Sequence, residues 1–546
     1  MVLGELHAGV WGRTGWFQPG GPFFQISVEA DYKDDPNTDI AHVSQSGLGL
    51  PSRDMYLAQD DAAKELLRGY EAHIQRMLVL GGAEAPISVR HASAIVELET
   101  QLAAAMLSPI EMRDDEKLYH KEGTQGLRKR AKGLNWDAYF RASGWPQSDL
   151  YNLRTTDYLA KMAKIINKEK LETLKAYLRW QVLHLMAPKL SSDFVKENLG
   201  FDKLVRGVDA LEPRWKRCST DAMFALPDLL GPAFVDKRFA GESKAIAMDM
   251  IDRINAAMES SFPTLVWMDD TTRARAIDKI KAMGRKIGYP DQWRDYAELE
   301  FAANTYFANS LAERSAEHRR VAAKIGKPVN KGEWGMPAPM VNAYFHPTNN
   351  EIAFPAGIMQ PPFFDAEMPQ PMNYGGIGAV MGHELTHGFD DQGRKYDASG
   401  RLQEWWEPSV SAQFEERVAC VQAQYDAYEA LPGLHVQGKL TSGENIADIG
   451  GVKEAYIAYK AWEKENGAEA PVSSELTNDQ VFFVAWAQNW CTLSTESALR
   501  RQVETDPHSP AQFRAEGPLA DFPAFAETFS CAEGTAMNPD NACEVW

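Results

Sequence analysis

Residues 383–387 read His-Glu-Leu-Thr-His. On a helix, His383 and His387 stand one turn apart on the same face. Two imidazoles so placed can occupy two corners of a tetrahedral Zn²⁺ site. Glu384, next to the first of them, can take a proton from a water that the metal activates. The five residues alone are a moderate signal, because two histidines on a polar helix face beside an unrelated glutamate give the same string. Catalytic zinc also needs a third protein ligand and an open position. Residues 443–451, GENIADIGG, supply a candidate. Glu444 and Asp448 are four residues apart and face one way on a helix that the flanking glycines are expected to bound. Glu444 can then ligate the metal, while Asp448 bonds a ligand imidazole and fixes its tautomer. An exposed acidic helix face would look the same in isolation, but beside the first helix the pair is a strong signal. Asp390 and Asp391 could partner the histidines or be solvated loop acids, and the second reading is preferred for at least one of them.

These side chains need elements to hold them. Tyr374-Gly375-Gly376 leads into a helix expected over about 377–389. Before it, Pro355, Pro361, Pro362, Pro369 and Pro371 break up a loop-rich approach, and residues 340–345, MVNAYF, are a short strand candidate. Residues 327–339 are rich in Gly and Pro and read as a linker. From about 62 to 323 the pattern is helical. Leu66, Leu67, Tyr70, Ile74, Met77 and Leu78 form one apolar stripe, and Leu171, Leu174, Leu178, Val182 and Leu183 another. Both read as core packing. Residues 1–50 are rich in Gly and aromatics, with β-like stretches such as 23–30. No fixed-period repeat is present.

Composition narrows the partners. The 546 residues are 44% hydrophobic and 24% charged, as in an ordinary globular protein. A net charge of −19 opposes nucleic acid and anionic membrane surfaces. No apolar run approaches the ~20 residues of a membrane span. The opening MVLGELHAGVWGRTGWF lacks a basic stretch followed by an apolar one and does not read as a signal peptide. Five cysteines, Cys218, Cys420, Cys491, Cys531 and Cys543, include no C-x-x-C pair, so a cysteine zinc site is not expected. On composition alone they read as buried thiols.

The motifs VNAYF, FPAGIMQPPFF, NYGGIGAVMGHELTHGFDDQGR, GENIADIGG, DPHSPAQFR and CEVW occur in this order. Together they resemble the neprilysin/endothelin-converting-enzyme family of zinc metallopeptidases and its bacterial oligopeptidase members. The resemblance runs from about Gln45 to Trp546. It implies a mainly α fold with a small β component, built as a thermolysin-like catalytic lobe and a helical lid. The expected divisions are 1–61 packing on the catalytic lobe, a lid over 62–326, a linker over 327–339 and a catalytic domain over 340–546. It implies one Zn²⁺ per chain, held by His383, His387 and Glu444, with Glu384 as general base. Asp448 matches a catalytic aspartate, His508 a histidine that stabilises the oxyanion, and Arg514 an arginine that grips the substrate backbone. Asn342 and Ala343 match the strand that pairs with bound peptide. Ile358, Phe363, Val380 and Trp490 match the surroundings of the pocket for the residue after the cleaved bond.

The implied activity is endopeptidase cleavage of oligopeptides on the amino side of bulky apolar residues, in an extracytoplasmic location. The resemblance pairs Cys420 with Cys543. It matches Cys218, Cys491 and Cys531 to positions whose partners lie in an N-terminal segment that relatives carry ahead of the Gln45 region. A shortened form of a secreted enzyme, with some apolar surface left bare, is therefore expected. The alternative is a catalytically silent zinc- or peptide-binding protein. An aminopeptidase is a lesser reading, since no acidic group that would hold a substrate amine can be identified. Oligomeric state is not legible.

Overall fold

Helices dominate the computed structural model, which describes residues 1–13 and 20–546. Two hydrophobic cores organise them. The first holds buried side chains from Phe23 to Val205, together with Val321 and Ala322. The second runs from Phe239 to Trp546.

In the first core the helix Asp61–Leu80 starts where the Asp60 side chain accepts the Ala63 N–H at 2.9 Å. It buries Tyr70, Ile74, Met77 and Leu78, as the spacing requires. The helix Leu171–Met186 packs Leu174, Leu178 and Leu183 against the same core, half-buried, as the stripe implied. Its buried residues include Ala176, Tyr177, Trp180 and Gln181, while Leu171 is exposed. The buried acid Glu99 takes hydrogen bonds from Trp180 Nε1 (3.2 Å), Gln181 Nε2 (3.0 Å), Tyr56 Oη (2.7 Å) and Tyr70 Oη (2.6 Å). A buried carboxyl needs those partners, which is why Trp180 and Gln181 lie deeper than the leucines beside them.

The strand Phe24–Asp31 pairs antiparallel with Asp35–Gln45, which pairs parallel with Tyr151–Leu153. The apolar side of this sheet, including Phe24, Ile26, Ala41, Val43 and Leu153, packs into the first core. Phe23, Phe24, Ile26, Leu50, Met55 and Tyr56 thus join the helical core, while Tyr32 packs with Tyr396 and Leu402. The limit of the lid at 326 moves. Side chains of the helices Ser243–Ser261 and Asp270–Ala282 belong to the second core. The strand Gly284–Gly288 pairs parallel with Glu351–Pro355, which pairs antiparallel with Tyr344–His346. Helical periodicity shows that a helix has an apolar face; it does not show which core that face meets.

Two long helical elements carry the chemistry. The first begins at Gln370–Asn373, with Pro371 in its first turn, passes through a π-turn over Tyr374–Gly378 and ends as Ala379–His387. It starts before the expected 377 and stops short of 389. The second is Gly438–Asn466, so Gly443, Gly450 and Gly451 lie inside the helix and do not bound it. The glycines serve the crossing of the two. A Cβ on Gly451 would stand 2.6 Å from the His383 nitrogen, and one on Gly382 would stand 2.6 Å from the Gly451 carbonyl oxygen.

Cys420 and Cys543 form a disulfide, the pairing that the resemblance implied. Cys218 and Cys491 are exposed free thiols, against the composition-based reading, and Cys531 is half-buried. Among the described residues no helix is long and apolar enough to cross a membrane.

The crossing predicts the effect of one methyl group. Gly451→Ala should destabilise the protein by about 1–3 kcal/mol through overpacking against backbone that cannot yield. Denaturant unfolding of the apo-protein measures it.

Candidate metal centre and active site

The backbone contact at Gly382 and Gly451 sets the spacing of everything around it. His383 and His387 leave one helix and Glu444 and Asp448 leave the other, toward one buried space. His383 Nδ1 lies 2.7 Å from Asp448 Oδ1. His387 Nδ1 lies 2.7 Å from Asp390 Oδ2. A carboxylate accepts from an N–H, so each Nδ1 carries a proton, which leaves Nε2 as the atom of each ring that can ligate a metal. This is the arrangement in which imidazoles ligate metals.

Both Nε2 atoms face Glu444. Its Oε2 lies 3.2 Å from His383 Nε2, 3.5 Å from His387 Nε2 and 3.2 Å from His508 Nε2. The atom is buried, yet it has no hydrogen-bond partner in the protein. A buried oxygen left unpaired among three nitrogens is costly unless a further group satisfies it. Two imidazole nitrogens and one carboxylate oxygen suit tetrahedral Zn²⁺ with one position open. Glu384 offers a second carboxylate to the same space, with ligand atoms of His383, Glu384 and His387 all within 4.8 Å of one another.

The electrostatics separate the two acids. Burial pushes the Glu384 carboxyl up, against the pull of His383 and His387. Burial acts on Glu444 too, but His508 and His387 overcome it and hold its carboxyl well below the usual carboxylate range.

The supporting groups are as ordered as the site itself. Asp448 is fully buried and takes two bonds from Arg514, at 2.7 Å from Nε and 2.8 Å from Nη2. The Arg514 guanidinium lies over the Trp490 ring at 3.9 Å. Neither Asp390 nor Asp391 is a solvated loop acid. Asp390 is buried and its Oδ1 also accepts the N–H groups of Gln392 and Gly393, at 2.8 and 2.6 Å. Asp391 pairs with Arg113 at 2.8 Å. Arg113 further donates to the Lys439 carbonyl at 2.9 Å and Ser442 Oγ at 3.1 Å, so it joins the loop after one site helix to the first turns of the other. His508 precedes the helix Ala511–Ala520; its Nδ1 is held by Asp506 at 2.7 Å and its Nε2 faces Glu444.

The structure thus gathers His383, Glu384, His387, Glu444, Asp448, His508, Arg514 and Trp490 around one point. Asn342 is exposed and Ala343 buried, just before the strand Tyr344–His346 rather than within it. Ile358 is buried in the second core, and Phe363 and Val380 are half-buried against it. Sequence reasoning missed Asp506 and Arg113. The first was legible as the acid two residues before His508 in DPHSP. Arg113 lies in the helical region with no motif around it.

Asp448→Ala and Asp390→Ala should each raise the zinc dissociation constant about 10- to 100-fold, since each frees the imidazole it orients. Competition with a fluorescent chelator measures this.

Models of peptidase family M13 match residues 6–290, for the N-terminal part, and 342–545. Endothelin-converting enzyme 1 of Bos taurus is 40% identical over 540 residues, covering 96% of this chain and 71% of that protein. The zinc metalloprotease Zmp1 of Mycobacterium tuberculosis in complex with an inhibitor overlays with a TM-score of 0.92 at 35% identity, covering 100% of this chain and 82% of that one. Its open state overlays with a TM-score of 0.70, at 35% identity and over 100% of this chain and 84% of that one. The lobes of the present structure therefore stand closer to the inhibitor-bound arrangement. With both halves matched and a close relative spanning nearly all of it, the chain belongs to peptidase family M13, the neprilysin-type zinc metallopeptidases.

Proposed function

We propose that this zinc endopeptidase cuts oligopeptides on the amino side of a bulky apolar residue, with Glu384 as general base. The observation that carries the reading is the unpaired buried Oε2 of Glu444 among three imidazole nitrogens. It supports His383, His387 and Glu444 as the ligands and leaves Glu384 free for proton transfer. Bound there, zinc supplies a Lewis acid for the scissile carbonyl and lowers the pKa of the attacking water.

The protein's own groups do the rest. Glu384, its carboxyl raised by burial, takes the proton of the attacking water and delivers it to the leaving amine. His508, its Nδ1 held by Asp506 and its Nε2 turned toward Glu444, is placed to stabilise the developing oxyanion. Asp448 orients His383 rather than donating a proton, a reading its bidentate bond from Arg514 supports. Arg514 Nη1 has no protein acceptor among the described residues and can take a substrate carbonyl. The exposed backbone at Asn342, beside the edge strand Tyr344–His346, suits pairing with an extended peptide. Ile358, Phe363, Val380 and Trp490 give the specificity pocket its apolar character. A silent zinc-binding protein would be expected to lack a ligand or the base, and this chain has both. The Cys420–Cys543 disulfide supports an extracytoplasmic location.

The test is hydrolysis of a quenched-fluorescent peptide with an internal Phe or Leu. Cleavage should stop on zinc chelation. Glu384→Gln should lower kcat by about 10²- to 10⁴-fold while zinc stays bound. Equal cleavage by the variant would remove Glu384 from the base role.

A further inference from the structure

Lys279 lies in the last turn of the helix Asp270–Ala282 and is 0% exposed. Its Nζ reaches three backbone carbonyls: Gly388 at 2.6 Å, Gly393 at 2.8 Å and Tyr396 at 2.6 Å. An ammonium has three N–H donors and accepts nothing. Three acceptors at bonding distance match it one for one. A neutral amine would turn a lone pair toward one of these oxygens. Among the described residues no carboxylate lies within salt-bridge distance of Nζ. The rings of Phe345, Phe389 and Trp405 surround it at 5.8, 5.3 and 5.6 Å. Burial pushes the amine down to about 7, against the charges of Asp390 and Asp397.

The three carbonyls mark one turn of chain. Gly388 caps the helix that ends at His387, so its oxygen is among those a helix leaves without an internal partner. Gly393 opens the short 3₁₀ turn Gly393–Lys395, and Tyr396 closes it. Asp390 sits within this span. Its Oδ1 is fixed by the Gln392 and Gly393 N–H groups, and its Oδ2 meets His387 Nδ1. The turn is tight: a Cβ on Gly393 would lie 1.7 Å from the His387 carbonyl oxygen. Carbonyls gathered this closely repel one another, and the ammonium between them removes that repulsion.

We propose that Lys279 is a positioning residue of the metal centre, a tethered internal cation that folds the 388–396 turn so that Asp390 is aimed at His387. The carboxylate then holds the His387 imidazole with Nε2 toward Glu444. The effect passes along a chain of contacts from Lys279 to the turn, from the turn to Asp390 and from Asp390 to the ligand. Lys279 itself touches neither substrate nor metal.

This inference rests on His387 as a zinc ligand, and the experiment separates the two. Zinc dissociation constants are measured by chelator competition on the full chain for wild type, His387→Ala, Lys279→Met, Asp390→Ala and the Lys279→Met/Asp390→Ala double variant. Apo-protein melting is recorded for each. Lys279→Met keeps the length and removes the donors. It should weaken zinc about 10- to 100-fold, the range for loss of a group that orients a ligand. The double variant should bind zinc no worse than Asp390→Ala alone, because both act through one bond. A purely structural lysine would lower melting and leave zinc affinity within twofold, or add its effect to that of Asp390→Ala. Either result overturns the proposal. Unchanged zinc binding in His387→Ala would instead overturn the ligand assignment. If Lys279→Met does not fold, Lys279→Gln, which keeps two N–H donors, is read the same way. An intermediate weakening of zinc is then expected, and wild-type affinity would count against the proposal.

Discussion

His383 and Glu444 come within 3.2 Å of each other beside a crossing where the backbones of their two helices nearly touch. Ordinary helix pairs stand 8–10 Å apart because side chains fill the seam. Here Gly382 faces Gly451 with no room for a Cβ on either side. The short ligand side chains then suffice, and each is held from behind by a group on a neighbouring element. The second core forms around this crossing, with Ile377, Leu385, Ile446 and Val452 fully or almost fully buried beside it.

The arrangement concentrates charge and then compensates it group by group. Asp448 answers to Arg514 and Asp391 to Arg113. Removing one partner would leave a buried charge uncompensated, which costs more than the pair contributes. Glu444 differs in one respect: its Oε2 accepts no hydrogen bond from the protein, although three imidazoles and Arg514 lie around it. A site that satisfied every one of its own atoms would have no affinity left for a metal.

What the sequence revealed follows the range of the interactions. Contacts within one helix were legible. The four-residue spacing of His383 and His387, and of Glu444 and Asp448, put the right groups on the right faces. Contacts that depend on tertiary fit were not. Nothing in the helical stretch singled out Arg113 or Lys279, because a lone basic residue in an amphipathic pattern reads as surface. The Leu171–Leu183 stripe was legible in part: Leu174, Leu178 and Leu183 pack against the core, but nothing in it showed that a distant buried acid, Glu99, brings Trp180 and Gln181 fully inside. The lid boundary failed at 243–288, where helices indistinguishable by period from their neighbours belong to the other core.

That division has a mechanical consequence. The chain passes between the two cores three times: between Val205 and Phe239, between Ile287 and Val321, and again after Ala322. A lid on a single linker could swing and twist freely. One fastened by three separate strands loses most of its rigid-body freedom and keeps, as its soft motion, rotation about an axis near the attachments. Opening then becomes a nearly one-dimensional coordinate.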